Sequence, residues 1–235
     1  MSRRHSKLRR WLRTLAGIDV FPRLELSIPM LTLGAGDGTW CVAPDRIDSG
    51  SVVYSFGIGR DLRFERDLIE RFGVTVHAFD PTPIALAWVA TQTLPPGLKV
   101  HPLGIAAEDG TARFAAPSRA GWESYSMLRK KGAGESVEAP VRRLSTLMRD
   151  LGHTRLDLVK MDIEGAEYAV LPDLIESGIR PVQILVEFHH RWREAGARRT
   201  RAMLRLLHQY GYRIADVSPK GRELTFVLAS APPAP

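Results

Sequence analysis

Cysteine is almost absent from this 235-residue chain, in which Cys41 stands alone. A single cysteine excludes an intrachain disulfide and a cysteine-rich zinc site, so we expect a reducing compartment and a cytoplasmic location. Long apolar runs are missing too, because no segment approaches the roughly 20 residues that span a bilayer. With 44% hydrophobic and 25% charged residues, the composition is that of a globular protein with room for one α/β domain.

Little excess positive charge lies outside the first 23 residues. These 23 residues hold seven basic residues and one acid, Asp19. This arm supplies six of the seven units of net positive charge. The remaining body is nearly neutral and lacks the basic face that nucleic-acid binding needs. Within the arm, apolar residues recur at helical spacing among arginines, namely Leu8, Trp11, Leu12 and Leu15. This pattern is typical of contact with an anionic membrane surface or a partner, and also of a solvated arm that partly covers the domain.

Apolar segments of strand length alternate with helical patterns from residue 51 onwards. The alternation predicts an α/β, Rossmann-like fold with a doubly wound, mostly parallel sheet of about seven strands and a terminal antiparallel hairpin. The expected strands are 52–56, 74–79, 99–103, 111–115, 137–141, 156–163, 182–188, 212–217 and 224–229. The expected helices are 61–72, 83–93, 144–151, one from 165 that Pro172 interrupts, and 195–210.

Four segments divide the chain in this prediction. They are a basic arm at 1–23, a short lid or hairpin segment at 24–50, the main domain at 51–230 and a disordered tail at 231–235. Glycine-rich residues 34–38 lead into no helix, so this run predicts a hairpin or lid turn rather than a cofactor loop.

A second glycine-rich turn at Gly57 and Gly59 is the stronger candidate for a cofactor loop, because it joins a strand to a helical pattern. Asp80 ends the next strand, twenty-one residues after Gly59. That offset suits a carboxylate that accepts hydrogen bonds from ribose hydroxyls. The alternative for Asp80 is an Asx turn before Pro81.

Leu62 stands where a dinucleotide-binding loop has its third glycine, and this bulky side chain disfavours a bound pyrophosphate. A nucleoside cofactor without phosphates fits better. We therefore expect S-adenosylmethionine (SAM), with a nicotinamide oxidoreductase as the enzymatic alternative. The candidate cofactor-binding residues are Phe56, Gly57, Gly59, Asp61, Asp80 and Pro81.

Charged residues interrupt the strongest strand pattern at its carboxyl end. In an extended strand Lys160, Asp162 and Glu164 face one way. A buried parallel strand is usually apolar on both faces and unpaired buried charge is costly, so a functional reason is expected. We expect this cluster near the transferred methyl group or the acceptor, with Asp162 as first choice. For Glu164 and Glu167 the alternative is a favourable position at a helix N-terminus.

Glu187 and His189 share a face at the end of the following strand. A carboxylate beside an imidazole orients the ring and raises its basicity, so His189 or Asp162 is expected to remove the proton of an acceptor hydroxyl. A structural role is the alternative for His189 and the favoured role for His190, which faces away. We expect no metal, since Asp162, Glu187 and His189 show no recognisable ligand spacing. The candidate catalytic residues are Lys160, Asp162, Glu164, Glu187 and His189.

Four runs together resemble the FkbM-type family of SAM-dependent methyltransferases. They are residues 56–61 (Phe-Gly-Ile-Gly-Arg-Asp), 78–83 (Ala-Phe-Asp-Pro-Thr-Pro), 159–167 (Val-Lys-Met-Asp-Ile-Glu-Gly-Ala-Glu) and 185–189 (Leu-Val-Glu-Phe-His). The third run is the most specific, and the resemblance extends over residues 33–229.

This resemblance implies a class I methyltransferase fold and, commonly, O-methylation of a hydroxyl on a small molecule, sugar or glycan. It implies that Gly57, Gly59 and Asp80 bind SAM and that Asp162 and Glu164 lie at the catalytic end of the sheet. Acceptor contacts are expected from the loops at 24–50 and 116–136. The basic arm lies outside the family pattern. A non-catalytic module that docks a membrane or a partner through this arm is therefore the alternative from another class.

Overall fold

The computed structural model describes residue 14 and residues 17–115, 136–192 and 195–229. Most of the basic arm, nearly all of the predicted acceptor loop at 116–136 and the predicted tail at 231–235 lie outside the described residues. Within the described ranges, no helix is both long enough and apolar enough to cross a membrane.

Strands and helices alternate along the described part of the chain. The strands are β1 (Leu31–Leu33), β2 (Trp40–Val42), β3 (Val52–Phe56), β4 (Thr75–Phe79), β5 (Leu98–His101), β6 (Gly104–Ile105), β7 (Gly110–Ala115), β8 (Ser136–Arg142), β9 (Leu158–Met161), β10 (Gln183–Glu187), β11 (Tyr212–Val217) and β12 (Glu223–Leu228). The helices are α1 (Arg63–Phe72), α2 (Pro83–Val89), α3 (Leu144–Asp150), α4 (Glu167–Glu176) and α5 (Gly196–Gln209).

The main sheet has seven strands in the order β11-β12-β10-β9-β3-β4-β5. β12 runs antiparallel to β10 and β11, and the other neighbours pair in parallel. The predicted doubly wound sheet and its terminal hairpin are confirmed. The chain moves outward from β3 to β5 and then returns to β9 on the other side of β3. A topological switch point, where α/β sheets bind ligands, therefore lies between β3 and β9.

Alternate side chains of the central strands build two cores, one on each face of the sheet. Tyr54 and Met161 pack with residues of α3, α4 and α5 on the first face. Val53 and Leu158 pack with residues of α1, α2, β1 and β2 on the second. Because both faces are covered, β3 and β9 are largely apolar, as buried parallel strands are.

The hairpin predicted from the glycines at 34–38 is present as the antiparallel pair β1 and β2. It lies along the second face of the sheet. The side-chain amide of Gln183 bonds to both backbone groups of Ala43, at 2.7 and 3.1 Å. At the other end of the hairpin, a Cβ on Gly38 would lie 2.5 Å from the Asp61 carboxylate. The hairpin therefore reaches the start of α1, next to the second glycine turn.

Pro172 lies inside α4, so the prediction that it interrupts this helix is wrong. A proline in a helix removes one backbone hydrogen bond and costs about 3 kcal/mol. The helix continues because its apolar side chains lie in the core, namely Tyr168, Val170, Leu171, Leu174 and Ile175. Burial of each such side chain contributes about 1.5–3 kcal/mol, and the sum exceeds the cost of the proline.

Two further differences concern element boundaries and sheets. The strands predicted at 111–115 and 137–141 form a separate three-stranded sheet with β6, in the order β6-β8-β7. The strand predicted to end at residue 163 ends at Met161. Because β9 ends early, Asp162 and Glu164 lie in the β9–α4 loop, where their side chains are free of the strand's strict alternation.

Candidate active site

A cavity opens at the switch point, where β3, β4 and β9 end. Its volume is about 250 Å³, and it is open to solvent. The lining includes Phe56, Gly57, Gly59, Asp80, Pro81, Asp162 and Glu164. This volume is just below the range of about 300–1,000 Å³ that is usual for ligand sites. The structure thus brings most of the predicted cofactor-binding residues and two predicted catalytic residues to one cavity.

The turn after β3 requires glycine at its first position. Gly57 has φ +77°, and a Cβ there would lie 1.8 Å from the carbonyl oxygen of Asp162. Gly59 has φ +53°, and no atom of the described residues lies within 4 Å of where its Cβ would stand. The first glycine therefore allows two loops to pack closely, and the second leaves open space beside the turn.

Lys160 lies beneath this turn and does not line the cavity. The residue is 5% exposed, and Nζ donates a hydrogen bond to the Gly57 carbonyl oxygen at 2.6 Å. It also stands 5.4 Å from the centre of the Trp40 ring. A charge-assisted hydrogen bond of this kind holds the turn in place. This position indicates that Lys160 supports the glycine turn rather than contacting the reacting atoms.

We expect Lys160→Met to lower the free energy of unfolding by about 2 kcal/mol, measured by urea denaturation. A hydrogen bond to a charged group contributes about 1.5–3 kcal/mol. Burial raises the pKa of Glu65 and the charge of Lys160 opposes that rise, so the variant also loses a favourable interaction there. Lys99→Met, on the exposed side of β5, is the matched control. Equal stability of the two variants would contradict the supporting role.

The Asp80 carboxylate forms the predicted Asx turn and also bonds to the glycine turn. Oδ1 accepts hydrogen bonds from the backbone N and Oγ1 of Thr82, at 2.9 and 2.6 Å, which makes the Asx turn. Oδ2 accepts from the backbone N of Gly59 at 2.9 Å. A carboxylate has about four lone-pair sites, so Oδ2 can accept a further hydrogen bond from a ligand in the cavity.

Asp61 is the predicted cofactor residue that the cavity does not include. Its carboxylate accepts hydrogen bonds from the backbone N, Nε and Nη2 of Arg63, at 3.0, 2.9 and 2.6 Å. The hydrogen bond to the guanidinium lowers the pKa of Asp61 despite partial burial. Asp61 therefore lies just before the start of α1, next to Gly38 of the hairpin. Its role in binding the cofactor stays a prediction.

His189 lies at the centre of four carboxylates and is only 3% exposed. Nε2 is 3.4 Å from Oε2 of Glu164, 3.9 Å from Oε1 of Glu187 and 4.0 Å from Oδ1 of Asp162. Nδ1 is 3.2 Å from Oε1 of Glu167. Burial opposes a charged ring, but the hydrogen bond to Glu167 and the surrounding carboxylates outweigh it and raise the pKa of His189 to about 9. Glu187 and His189 lie close together, as predicted from their shared face, and Asp162 lies beside them.

Glu187 also pairs with Arg222, through the same oxygen that faces the imidazole. Nη1 of Arg222 lies 2.9 Å from this Oε1 and forms an ion pair with it. Burial and the carboxylate of Asp162 raise the pKa of Glu187 to about 8, and the charges of His189 and Arg222 limit the rise. The cluster as a whole therefore carries more carboxylates than cations.

Glu167 holds His189 in place, a role that the sequence reasoning did not assign. It is fully buried, and Oε1 accepts a hydrogen bond from the His189 backbone N at 2.9 Å and faces Nδ1. Oε2 accepts from the backbone N of Gly165 at 2.8 Å. The helix-dipole interpretation explained a carboxylate at the start of α4 but not its burial. The sequence does contain one indication of this role, because Glu167 belongs to the same charged run as Asp162 and Glu164.

Glu164 has φ +50°, the left-handed conformation that residues with a side chain rarely adopt. Such backbone costs on the order of 1–3 kcal/mol and persists where the surroundings determine it. Here it directs the Glu164 side chain toward the cavity and toward His189. Strain of this kind is concentrated at functional sites.

The segment before residue 24 contributes a second anchor that the sequence did not reveal. Asp19 is fully buried, and its Oδ1 lies 2.6 Å from Nε2 of His190. Oδ2 accepts from Nε of Arg191 at 3.0 Å, and Arg201 donates to the Asp19 carbonyl oxygen at 3.2 Å. His190 is therefore paired with Asp19, in keeping with the structural role predicted for it. This contact ties the segment before residue 24 to the loop that carries His189.

The family model described as the methyltransferase FkbM domain matches residues 33–214 of the chain. The matched range contains the glycine turn, Asp80 and the cluster around His189. It begins at the β1–β2 hairpin and leaves out the basic arm.

Several known proteins are similar over part of the chain. The human "Probable methyltransferase-like protein 24" is 28% identical over 60% of this chain and 33% of its own length. The Streptomyces tacrolimicus "31-O-demethyl-FK506 methyltransferase FkbM" is 25% identical over 60% of this chain and 66% of its own. The crystal structure of methyltransferase FkbM from Methylobacillus flagellatus KT aligns with a TM-score of 0.49 at 15% identity, over 77% of this chain and 44% of its own. The chain thus spans about a third of the human relative.

Proposed function

This chain belongs to the methyltransferase FkbM domain family, and on that premise we propose that it transfers a methyl group from SAM to a hydroxyl oxygen of a small molecule, sugar or glycan. The observation that supports the proposal is one cavity, lined both by the glycine turn with Asp80 and by Asp162 and Glu164. A cofactor subsite and an acidic reaction centre therefore share a single open space.

The residues of the cavity fit SAM. The glycines at 57 and 59 put no side chain at two positions of the turn, so the backbone there can approach a nucleoside closely. Asp80 would accept hydrogen bonds from the ribose hydroxyls through the remaining capacity of Oδ2. Bound SAM supplies a methyl group on a positively charged sulfur. The carboxylates of Asp162 and Glu164 line the same cavity and favour positive charge there.

The acceptor needs two things from the chain: a fixed position and a group that removes its hydroxyl proton. In-line transfer requires the acceptor oxygen to lie about 3 Å from the methyl carbon, and such positioning supplies roughly 7–11 kcal/mol of a barrier. Proton removal is assigned to the cluster around His189. In this cluster, carboxylate oxygens of Asp162, Glu164 and Glu187 lie within 4.0 Å of the imidazole Nε2. Contacts to the acceptor from the loops at 24–50 and 116–136 stay predictions of the sequence; among the described residues, the cavity lining includes none from 24–50.

Asp80→Asn is expected to weaken SAM binding by roughly 10–100-fold, measured by isothermal titration calorimetry. Hydrogen bonds to a charged group contribute about 1.5–3 kcal/mol, and the amide keeps the Asx turn while losing the charge and one acceptor atom. Asp109→Asn is the matched control, because Asp109 also accepts two hydrogen bonds, from Arg143 N and Thr146 Oγ1, outside the cavity. Unchanged affinity of the Asp80 variant would remove the cofactor assignment.

Release of S-adenosylhomocysteine with a panel of hydroxyl-bearing acceptors tests the activity. A fluorescence titration with NADH tests the oxidoreductase alternative in the same preparation. Leu62 is 2% exposed at the position of the third glycine, so the pyrophosphate of a dinucleotide meets a packed side chain there. Binding of NADH without binding of SAM would overturn the proposal. Membrane or partner contact by the basic arm and a cytoplasmic location are kept as separate predictions of the sequence.

A further inference from the structure

Three potential metal ligands meet beyond the carboxyl ends of β9 and β10. They are carboxylate oxygens of Asp162 and Glu164 and a ring nitrogen of His189, all within 4.8 Å of one another. Two ligand atoms that share an ion at about 2.0–2.2 Å lie roughly 3.0–3.5 Å apart at right or tetrahedral angles. The 3.4 Å between His189 Nε2 and Glu164 Oε2 already meets that requirement. Asp162 Oδ1, at 4.0 Å from Nε2, needs only a small rotation of a side chain that is 32% exposed.

The hydrogen bonding of His189 prepares Nε2 to be a ligand. Nδ1 faces Glu167, whose buried carboxylate can only accept, so Nδ1 carries a proton. Nε2 lies on the opposite side of the ring and is directed at Glu164 and Asp162, at 3.4 and 4.0 Å. Metal-binding histidines typically donate their second ring N–H to a carboxylate in this way.

Asp162 supplies an independent observation. Its Oδ1 is inaccessible to solvent and has no hydrogen-bond partner among the described residues. Arg222 is paired with Glu187, and Lys160 donates to the Gly57 carbonyl oxygen. A buried carboxylate oxygen without a partner is costly, and an ion shared with His189 would satisfy it.

We propose that Asp162, Glu164 and His189 bind a divalent metal ion, which holds the acceptor hydroxyl in the cavity. One nitrogen and two carboxylate oxygens suit Mn²⁺ or Zn²⁺, and three protein ligands leave coordination positions for the acceptor oxygen or water. Glu187 stays outside the ligand set because Arg222 pairs with it. Metal binding is independent of the proposed function, whereas the role in catalysis rests on it.

A bound ion would make a coordinated hydroxyl more acidic, so that its proton passes through the acidic cluster to water in the open cavity. The acceptor oxygen then forms a bond to the methyl carbon as the carbon–sulfur bond breaks, and the electron pair of that bond stays on sulfur. The products are a methyl ether, S-adenosylhomocysteine and a hydrated proton. Charges balance, because the positive charge of the sulfonium leaves as the proton and the ion keeps its oxidation state.

Titration of the EDTA-treated full-length protein with Mn²⁺ tests the site, by calorimetry and by the electron paramagnetic resonance signal of free Mn²⁺. We expect one Mn²⁺ per chain in the absence of SAM and acceptor, displaced by Zn²⁺. Asp162→Asn and Glu164→Gln should each weaken Mn²⁺ binding at least about tenfold, since even indirect ligand supports contribute that much. Glu176→Gln, at the exposed end of α4, is the control and should bind Mn²⁺ as the unmodified chain does.

Thermal unfolding and a SAM titration of each sample separate the possible failures. A folded Asp162→Asn variant that binds Mn²⁺ as tightly as the unmodified chain overturns the metal site, and so does an unmodified chain that binds SAM but no Mn²⁺. The latter result leaves the proposed methyl transfer intact. A chain that binds Mn²⁺ but neither binds nor consumes SAM supports the metal site and removes the proposed function.

Discussion

Gly57→Ala is expected to abolish detectable SAM binding and to lower the free energy of unfolding by roughly 2–6 kcal/mol. The added Cβ would lie 1.8 Å from the Asp162 carbonyl oxygen, so the β3–α1 and β9–α4 loops must move apart. The φ of +77° adds the cost of left-handed backbone for a residue with a side chain. Because these two loops line the cavity, their separation removes the cofactor subsite. Urea denaturation and calorimetric titration with SAM measure the two effects.

The same turn offers a matched control in Gly59→Ala. Its backbone is also left-handed, at φ +53°, but its Cβ would meet no atom of the described residues within 4 Å. This variant should lose only the backbone cost of about 1–2 kcal/mol. If Gly57→Ala and Gly59→Ala were equally stable, close packing against Asp162 would not be what shapes the turn.

Glu167→Gln should destabilise the protein by about 3–5 kcal/mol, the usual cost of removing one partner from a buried charged contact. The carboxylate accepts from the backbone N of Gly165 and of His189, one bond on each oxygen. An amide has a single acceptor oxygen, so its NH₂ group must face one of these donors. Turnover should fall as well, because Nδ1 of His189 loses the acceptor that orients the ring.

Two readouts check this prediction. Urea denaturation gives the stability, with the exposed Glu176→Gln on the same helix as the control. Nitrogen-15 NMR of the imidazole gives the protonation of the two ring nitrogens of His189, which a purely structural glutamate at the helix start would not affect. An unaltered imidazole spectrum together with near-normal stability would contradict the orienting role.

The local features of the fold were predictable because they depend on residues close in sequence. β3, the glycine turn, α1 and its end at Gly73 follow from an apolar run, a glycine pair and helical spacing. The order of strands and helices then restricts the topology, since parallel crossovers have one hand. Pro172 is the exception, because a local penalty of about 3 kcal/mol was outweighed by burial that no local pattern measures.

Part of the site was also predictable. Glu187 and His189 lie close together as expected from their shared face. The carboxyl ends of neighbouring parallel strands meet at one edge, which also brings Asp162 to them. The role of each residue stays a prediction. The proposed metal ligands have no recognisable spacing in sequence, because Asp162 and Glu164 follow one strand and His189 follows another.

The sequence by itself determined the alternation of strands and helices, the loop at Gly57 and Gly59 and the carboxylate of Asp80 at its edge. These follow from periodicity and backbone freedom, which are properties of short segments. Only the tertiary structure decided that Glu167 orients His189, that Lys160 supports the glycine turn and that Asp19 bonds to His190, 171 residues away. The physical reason is that a buried polar group must find its partner wherever the packed chain places one, and sequence distance carries no information about that place.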